Sequence, residues 1–536
     1  MKNAKKIIDK IIIAIVYSLI LVFILYPFFC VFYQALFVNG SFNTDMLFDF
    51  LQNDTRLLKN SLKVAILSTV ISTAGALSIG IFSFIHGKRM RSIINAIMML
   101  TMISPPFVTA LSYINLFGRR GFITHDLLGL TLNTYGMTGI VLMQSLGFIS
   151  LNALVVSGSL SRMNLKIIQS ARDLGADTSS VIKDIVIPML KPTILVIALL
   201  TFVRSLADFG TPAIIGGNFN TMATEAYLSM IAYGDINRAS IINVILFIPS
   251  LLAFVVYRKN LNNTNMNESI EIEEEILEAR GFLYEALKVI SFVFVFLIVL
   301  QYASIFAAAF TKKKMGVSYF TLQNFIDTKV YISGTFIRSI VYSIISGVFG
   351  AILGLLIGYY LQIRKLRFMG LIDFIATMPY IIPGSFFGIG YILAFRGAPF
   401  YLTGTSAIVV LNVLFKQLPF SSKIGTEAAN RINVETTNSV KDLGGTDLDV
   451  LKDVVIPMSK NSLFVAFANS FTATMTTIGS IIFLVYPGQK VATLVMFEVI
   501  QSGKYSVGSV IAVLIILITM TVNVIFFKVL NASPKK

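Results

Sequence analysis

Runs of about twenty apolar residues recur along the whole 536-residue chain. That is the length a helix needs to cross roughly 30 Å of hydrocarbon. They fall at about 7–37, 60–85, 93–117, 136–157, 193–216 and 239–257, and again at about 283–310, 337–362, 368–395, 403–424, 462–486 and 505–530. A soluble core cannot absorb that much apolar surface. With 56% hydrophobic and 13% charged residues, the chain lies far from the roughly 25% charge of a soluble domain, and the reading is an all-α membrane protein of about twelve spans. The run after MKNAKK is too long for a signal peptide and lacks a small-residue cleavage site, so it is expected to remain as the first span.

The net charge of +16 does not point to nucleic acid, because Lys and Arg sit in short clusters between apolar runs. Lys88, Arg89 and Arg91, and later Arg364, Lys365 and Arg367, follow the positive-inside pattern. It predicts a multi-pass protein of a bacterial cell membrane with both termini in the cytoplasm and lipid as its surroundings. Cys30 is the sole cysteine and His86 and His125 the sole histidines, too few for a His-based metal cage, and no metal site is expected.

The chain is also a duplication. Leu174–Pro192 reads LGADTSSVIKDIVIPMLKP and Leu443–Asn461 reads LGGTDLDVLKDVVIPMSKN, sharing about ten of nineteen positions where average usage gives roughly one or two. Gly175 to Gly444 and Pro188 to Pro457 are each about 269 residues apart, half the chain, so two related halves stand in tandem. The first half is read as 1–260 with a core at about 56–257. The second is 283–536 with a core at about 333–528, and an acidic cytoplasmic linker at 261–282 joins them. Ser61 with Ser339 and Gly80 with Gly358 recur in the second span of each half, where small residues let helices approach closely. Pro105 and Pro106, and then Pro379 and Pro383, predict kinks in the following span.

Each repeated stretch lies in a polar loop between the fourth and fifth spans, at about 158–192 and 425–461, too long for an ordinary bundle connection. Its pattern resembles the EAA loop of the permease subunits of ATP-binding-cassette importers, in which Glu-Ala-Ala precedes Gly and then Ile-x-Leu-Pro at fixed spacing. The first copy has Gln169, Ser170 and Ala171, then Gly175, then Ile185, Ile187 and Pro188. The second has Asn438, Ser439 and Val440, then Gly444, then Val454, Ile456 and Pro457. The leading Glu is absent from both, and Asp173 and Asp442, four residues on, are the candidates to replace its contact. The resemblance implies a fused permease with two six-helix type I halves, seating two copies of an ATPase subunit, one per loop. It also implies cargo delivered by an extracytoplasmic binding protein. The chain has no GxxxxGK[ST] phosphate loop, so ATP and Mg belong to the partner. This chain is expected to be no enzyme and to hold no cofactor of its own.

Within the fifth span Arg204 and Asp208 are one helical turn apart and are expected to pair on one face. Their surroundings, RSLADFGTPAIIGGNFN, resemble a segment in the first half of fused ferric-iron importer permeases. The matching place in the second half reads ATMTTIGSIIFLV, with Gly479 for Gly210 and threonines for the charges. Arg204, Asp208 and Thr477 are thus a candidate polar constriction, and Glu225 a solvated loop carboxylate or a contact for the delivering protein. The resemblance favours ferric iron as cargo and leaves thiamine, aminoethylphosphonate, phosphorylated sugars and polyamines open. The reading from another class, an ion-coupled secondary transporter, expects intramembrane carboxylates in both halves.

Overall fold

The structure is a computed structural model and describes residues 2–38, 41–42, 45–130, 133–261, 280–314 and 317–532. Most of the acidic linker, Glu271 to Glu278 included, lies outside them. Among the described residues 9 helices are long and apolar enough to cross a membrane. Two further spans are sharply bent: Gly87–Met102 with Phe107–Leu127 at 101°, and Met369–Tyr380 with Gly384–Phe395 at 115°. The runs 93–117 and 368–395 are therefore not simple kinked spans. Pro105 and Pro106, or Pro379 and Pro383, withhold N–H groups and crowd the preceding turn, so the helix stops and restarts in a new direction. The eleventh expected run is the 17-residue helix Lys460–Thr476.

Two short helices were hidden in stretches read as loops or span ends. Met222–Ile231 and Ala492–Gln501 occupy matching places in the two halves, and most of their residues are buried. The Met222 N–H donates to Ser61 Oγ at 2.8 Å and the Ala492 N–H to Ser339 Oγ at 2.9 Å. The repeated serine thus receives a backbone donor at the helix start, where no carbonyl is available. The described chain has little strand: a hairpin pairs 37–38 with 41–42 and another pairs 311–314 with 317–320. The second carries Lys312, which pairs with Asp327 at 2.7 Å.

The halves interlock. The first long helix, residues 2–36, packs on the second half: Phe23 stacks on Phe415 with ring centroids 5.1 Å apart, and the Tyr391 hydroxyl donates to the Phe23 carbonyl at 2.8 Å. Its counterpart Phe282–Phe310 returns the exchange, joining the Tyr302 hydroxyl to Ser104 Oγ at 2.6 Å and Phe292 to Phe82 at 5.4 Å. The two sequence repeats are therefore not two separable six-helix bodies.

Within the second half, the helices Thr335–Gly358 and Ser406–Asn430 touch backbone to backbone. A Cβ on Gly425 would lie 2.1 Å from the Gly354 carbonyl oxygen, and one on Gly358 2.3 Å from the carbonyl carbon of Gly425. The Gly358 expected from the repeat is thus a packing contact, and Gly80 is likewise closed in by Val156. Gly425→Val is expected to lower stability by roughly 1–3 kcal/mol, read as a lower thermal midpoint in detergent. Gly158→Ala, whose added Cβ meets nothing within 4 Å, is the control; equal midpoints would show that the helices do not touch at Gly425.

Candidate docking loops and membrane pathway

The two repeated loops fold alike because the same local devices recur. Helix Leu165–Asp173 begins at Asn164, whose Oδ1 accepts the Lys166 N–H at 3.0 Å; helix Val434–Asp442 begins at Asn433, whose Oδ1 accepts the Glu435 N–H at 2.9 Å. Both end in a Schellman motif. The Gly175 N–H reaches the Arg172 carbonyl and the Ala176 N–H the Ala171 carbonyl; Gly444 and Gly445 repeat this with Lys441 and Val440. Gly175 and Gly444 have φ of +88° and +83°, a region that side chains rarely adopt. A second cap restarts the chain: Asp177 accepts the Ser179 and Ser180 N–H groups, and Thr446 forms a capping box with Asp449. The Ser180 hydroxyl and N–H hold the Asp177 carboxyl below its ordinary range. Pro188 and Pro457 then stand in the first turn of the next helical segment.

This geometry presents one face of each loop to solvent. Asp173, Asn438, Asp442, Pro188 and Pro457 are exposed, whereas Gln169 and Ala171 are half-buried. Sequence reading overlooked the residue at each tip, Leu174 and Leu443, which are 88% and 91% exposed. An apolar side chain thus stands at the same point of each loop; the signal was in the LeuGly pair that opens both repeats.

The loops differ in how the chain holds them. Lys5 pairs with Asp449 at 2.5 Å, Asp9 with Arg364 at 2.6 Å, and Arg364 with Asp447 at 3.3 Å, while the Tyr360 hydroxyl donates to Asp9 at 3.2 Å. The Lys5 ammonium, with the Thr446 N–H and hydroxyl, holds the Asp449 carboxyl well below the usual carboxylate range. A depressed pKa places the loss of this contribution at acid pH, as pH falls through the folded-state value, so the clasp is intact at neutral pH. At the first loop the corresponding contacts are hydrogen bonds, with the Arg280 N–H on Thr178 Oγ1 at 3.3 Å and, beside it, the Tyr284 hydroxyl 3.1 Å from His86 Nε2.

In the membrane interior the expected Arg204–Asp208 pair does not form. The helix Ile187–Ala207 ends one residue early for it, since Asp208 has an extended ψ of 108° and the four-residue spacing no longer shares a face. Asp208 instead caps the next segment, accepting the Gly210 and Thr211 N–H groups at 3.0 and 3.2 Å and Gln144 Nε2 at 3.0 Å. Arg204 faces a small cleft shared with Tyr380 and Ile381 of the second half. The threonines of the second half are also engaged elsewhere: Thr474 donates to Ser346, Thr472 accepts from Asn523, and the Thr477 carbonyl accepts from Thr493. Among the described residues no hydrogen bond joins Arg204, Asp208 and Thr477 into a constriction. Glu225 is not a free loop carboxylate either, because Arg238 binds it at 3.1 Å together with Asp54.

What closes the space between the halves is aromatic. Phe107, Phe209 and Tyr227 of the first half meet Phe483 and Phe497 of the second. Ring centroids lie 4.9 Å apart for Phe107–Phe497, 5.2 Å for Phe209–Tyr227 and 6.3 Å for Tyr227–Phe483. Gly210 admits the Phe107 ring, since a Cβ there would lie 2.2 Å from it, and Phe209 rests against Gly479 at 3.8 Å from the corresponding point. Gly210 therefore makes room for this seal, whereas an added Cβ at Gly479 would meet only ordinary van der Waals contacts. Sequence reading also missed Lys416, a single cation in an apolar run. Its Nζ donates to the carbonyls of Pro379 and Ile382 at 2.7 and 2.6 Å, the groups freed by the break in that span.

Two interlocked membrane halves, each bearing a copy of the repeated loop on one side, have the arrangement that the resemblance to importer permeases of the ATP-binding-cassette class implies. Residues 72–264 match the family described as the binding-protein-dependent transport system inner membrane component. The chain is 28% identical over 542 residues to the ferric transport system permease protein FbpB of Actinobacillus pleuropneumoniae, covering 97% of this chain and 78% of the relative. It is also 28% identical over 500 residues to the putative ferric transport system permease protein FbpB 1 of Haemophilus influenzae, covering 89% and 78%. A putative 2-aminoethylphosphonate transport system permease protein, PhnV of Salmonella paratyphi A, is 24% identical over 241 residues, 43% of this chain and 89% of the relative.

Asp9→Asn is expected to lower stability by roughly 1–3 kcal/mol, since it strips charge from a buried carboxylate that binds two groups. The more exposed Lys5→Gln should cost only about 0.2–1 kcal/mol; thermal unfolding in detergent ranks the two, and the reverse order would show that Asp9 does not anchor the clasp. Phe497→Ala is expected to make proteoliposomes leak small solutes without ATP, and tight vesicles would place the seal elsewhere.

Proposed function

We propose that this permease imports ferric iron, handed over by an extracytoplasmic binding protein and driven by two copies of a separate ATPase subunit, one on each docking loop. The observation that carries the reading is the likeness to two ferric permeases over nearly the whole chain, both halves included, rather than over one loop or one half. In this reading both termini and both loops face the cytoplasm, as the basic clusters favour. ATP and Mg belong to the ATPase, and the chain itself catalyses no reaction. Each short loop helix lies in a groove of an ATPase copy, with Leu174 or Leu443 as the apolar anchor and Asp173 or Asp442 supplying the charge that the missing Glu supplies in the EAA pattern. When ATP draws the ATPase copies together, the loops follow and the halves swing so that the aromatic seal opens outward.

The binding protein, not the permease, holds the hard cation through oxygen ligands. Calorimetry on the binding protein partnered with this permease is expected to give tight ferric-ion binding; tight binding of an organic phosphate with no iron affinity would overturn the cargo assignment. A second experiment addresses coupling. The pair Leu174→Asp and Leu443→Asp is expected to weaken ATPase assembly about tenfold or more and to abolish ATP-driven uptake. If Asp173→Lys with Asp442→Lys leaves assembly and uptake unchanged, the replacement contact is wrong while the anchoring leucines stand on their own result.

A further inference from the structure

At the end of the bundle opposite the docking loops, the first half contains a cavity of about 620 Å³. The helix Met137–Leu160, which runs from the cavity edge to the first loop, has 24 residues and separates the two by roughly 36 Å. The cavity is bounded by Arg56 at the start of one span, by Arg119 and Asn133 in the loop that follows the bent span, and by Gly216, Gly217 and Asn218 beyond the Asp208 cap. The glycine turn at its edge is fixed by its own backbone. A Cβ on Gly216 would strike the Pro212 carbonyl oxygen at 2.4 Å, and Gly217 has a φ of +56°.

The charge at this end is unevenly neutralised. Arg238 is met by two carboxylates, Asp54 and Glu225, at 3.1 Å each. Arg56 and Arg119 have no carboxylate partner among the described residues, and no acidic side chain lines the cavity they share. Two guanidinium groups present ten N–H donors in planar forks suited to the oxygens of carboxylate or phosphate, and the Asn133 and Asn218 amides add neutral donors. The volume falls within the usual range for a small-molecule site.

We propose that this cavity is an oxyanion-binding site on the face opposite the docking loops, taking a carboxylate or phosphate group between Arg56 and Arg119. A free small anion and an anionic lipid headgroup offer the same chemistry, and the experiment separates them. The purified full chain is placed in phosphatidylcholine nanodiscs and titrated with inorganic phosphate and with citrate by calorimetry. A free-anion site shows saturable binding of at least one probe, weakened about tenfold or more in the double variant Arg56→Gln with Arg119→Gln and unchanged in Arg120→Gln, a same-side cation outside the lining. A headgroup site shows no binding of either probe. Phosphatidylglycerol is then retained through purification by the natural chain and lost from the double variant. The proposal is overturned if neither probe nor lipid is bound, if the double variant binds as the natural chain does, or if Arg120→Gln weakens binding equally. Binding is read on this chain alone, so the outcome is independent of the cargo identified through the binding protein.

Discussion

In hydrocarbon every backbone N–H and C=O must find its partner within the protein, and this structure is arranged around the places where its helices break. The break between Tyr380 and Gly384 leaves the carbonyls of Pro379 and Ile382 without helical donors, and Lys416 supplies an ammonium to both. The break after Ala207 exposes the N–H groups of Gly210 and Thr211, and Asp208 supplies a carboxylate. Ser61 and Ser339 do the same for the two short helices with neutral hydroxyls. Lys416 and Asp208 are thus each tied to the irregular backbone they satisfy. Broken helices are tolerated in membranes where protein or a cavity surrounds them, and here they gather where the two halves meet.

The duplication is symmetric in fold and asymmetric in chemistry. Both loops share the asparagine cap, the Schellman turn and the exposed leucine, so one local shape is built twice. The supporting contacts differ: the second loop is gripped by ion pairs of Lys5, Asp9 and Arg364, the first by the Arg280 N–H on Thr178, with the Tyr284–His86 hydrogen bond beside it. Because the gripping helix in each case belongs to the other half, a displacement of either loop bears on both halves. An ionic clasp with a half-buried Asp9–Arg364 pair resists separation more than exposed pairs do, so the two loops are held with unequal stiffness.

Hydrophobic run length made most spans legible, and the repeated segment made the loops legible, because both signals are local. The failures are equally instructive. Arg204 and Asp208 were expected to pair on spacing alone, but spacing has meaning only while the helix continues, and it stops at Ala207. Glu225 read as a solvated carboxylate or a contact for the delivering protein because its partner Arg238, 13 residues on, is brought to it only by the fold. Tyr227, two residues on from Glu225, has its ring in the seal beside Phe483 and Phe497, contacts set by the packing of two halves and not legible in the sequence. Lys416 was visible as a lone charge in an apolar run; its partners were not, since they depend on where a distant proline breaks its helix.

The same geometry explains how a loop and a seal so far apart can act together. The helix that leaves the first loop through Pro188 runs 21 residues, roughly 30 Å, and ends at the Asp208 cap. Phe209 follows immediately and stacks on Tyr227. In the second half the segment that follows Pro457 ends at Thr476, and Gly479 a few residues on receives the Phe209 ring. A helix is stiff over this length, and the caps fix the direction in which the chain leaves it. Tilting the two rods at their loop ends therefore shifts Phe209 relative to Gly479 at the other end. Close-packed aromatic contacts favour discrete arrangements over continuous deformation, so such a shift either leaves the rings interlocked or releases them together.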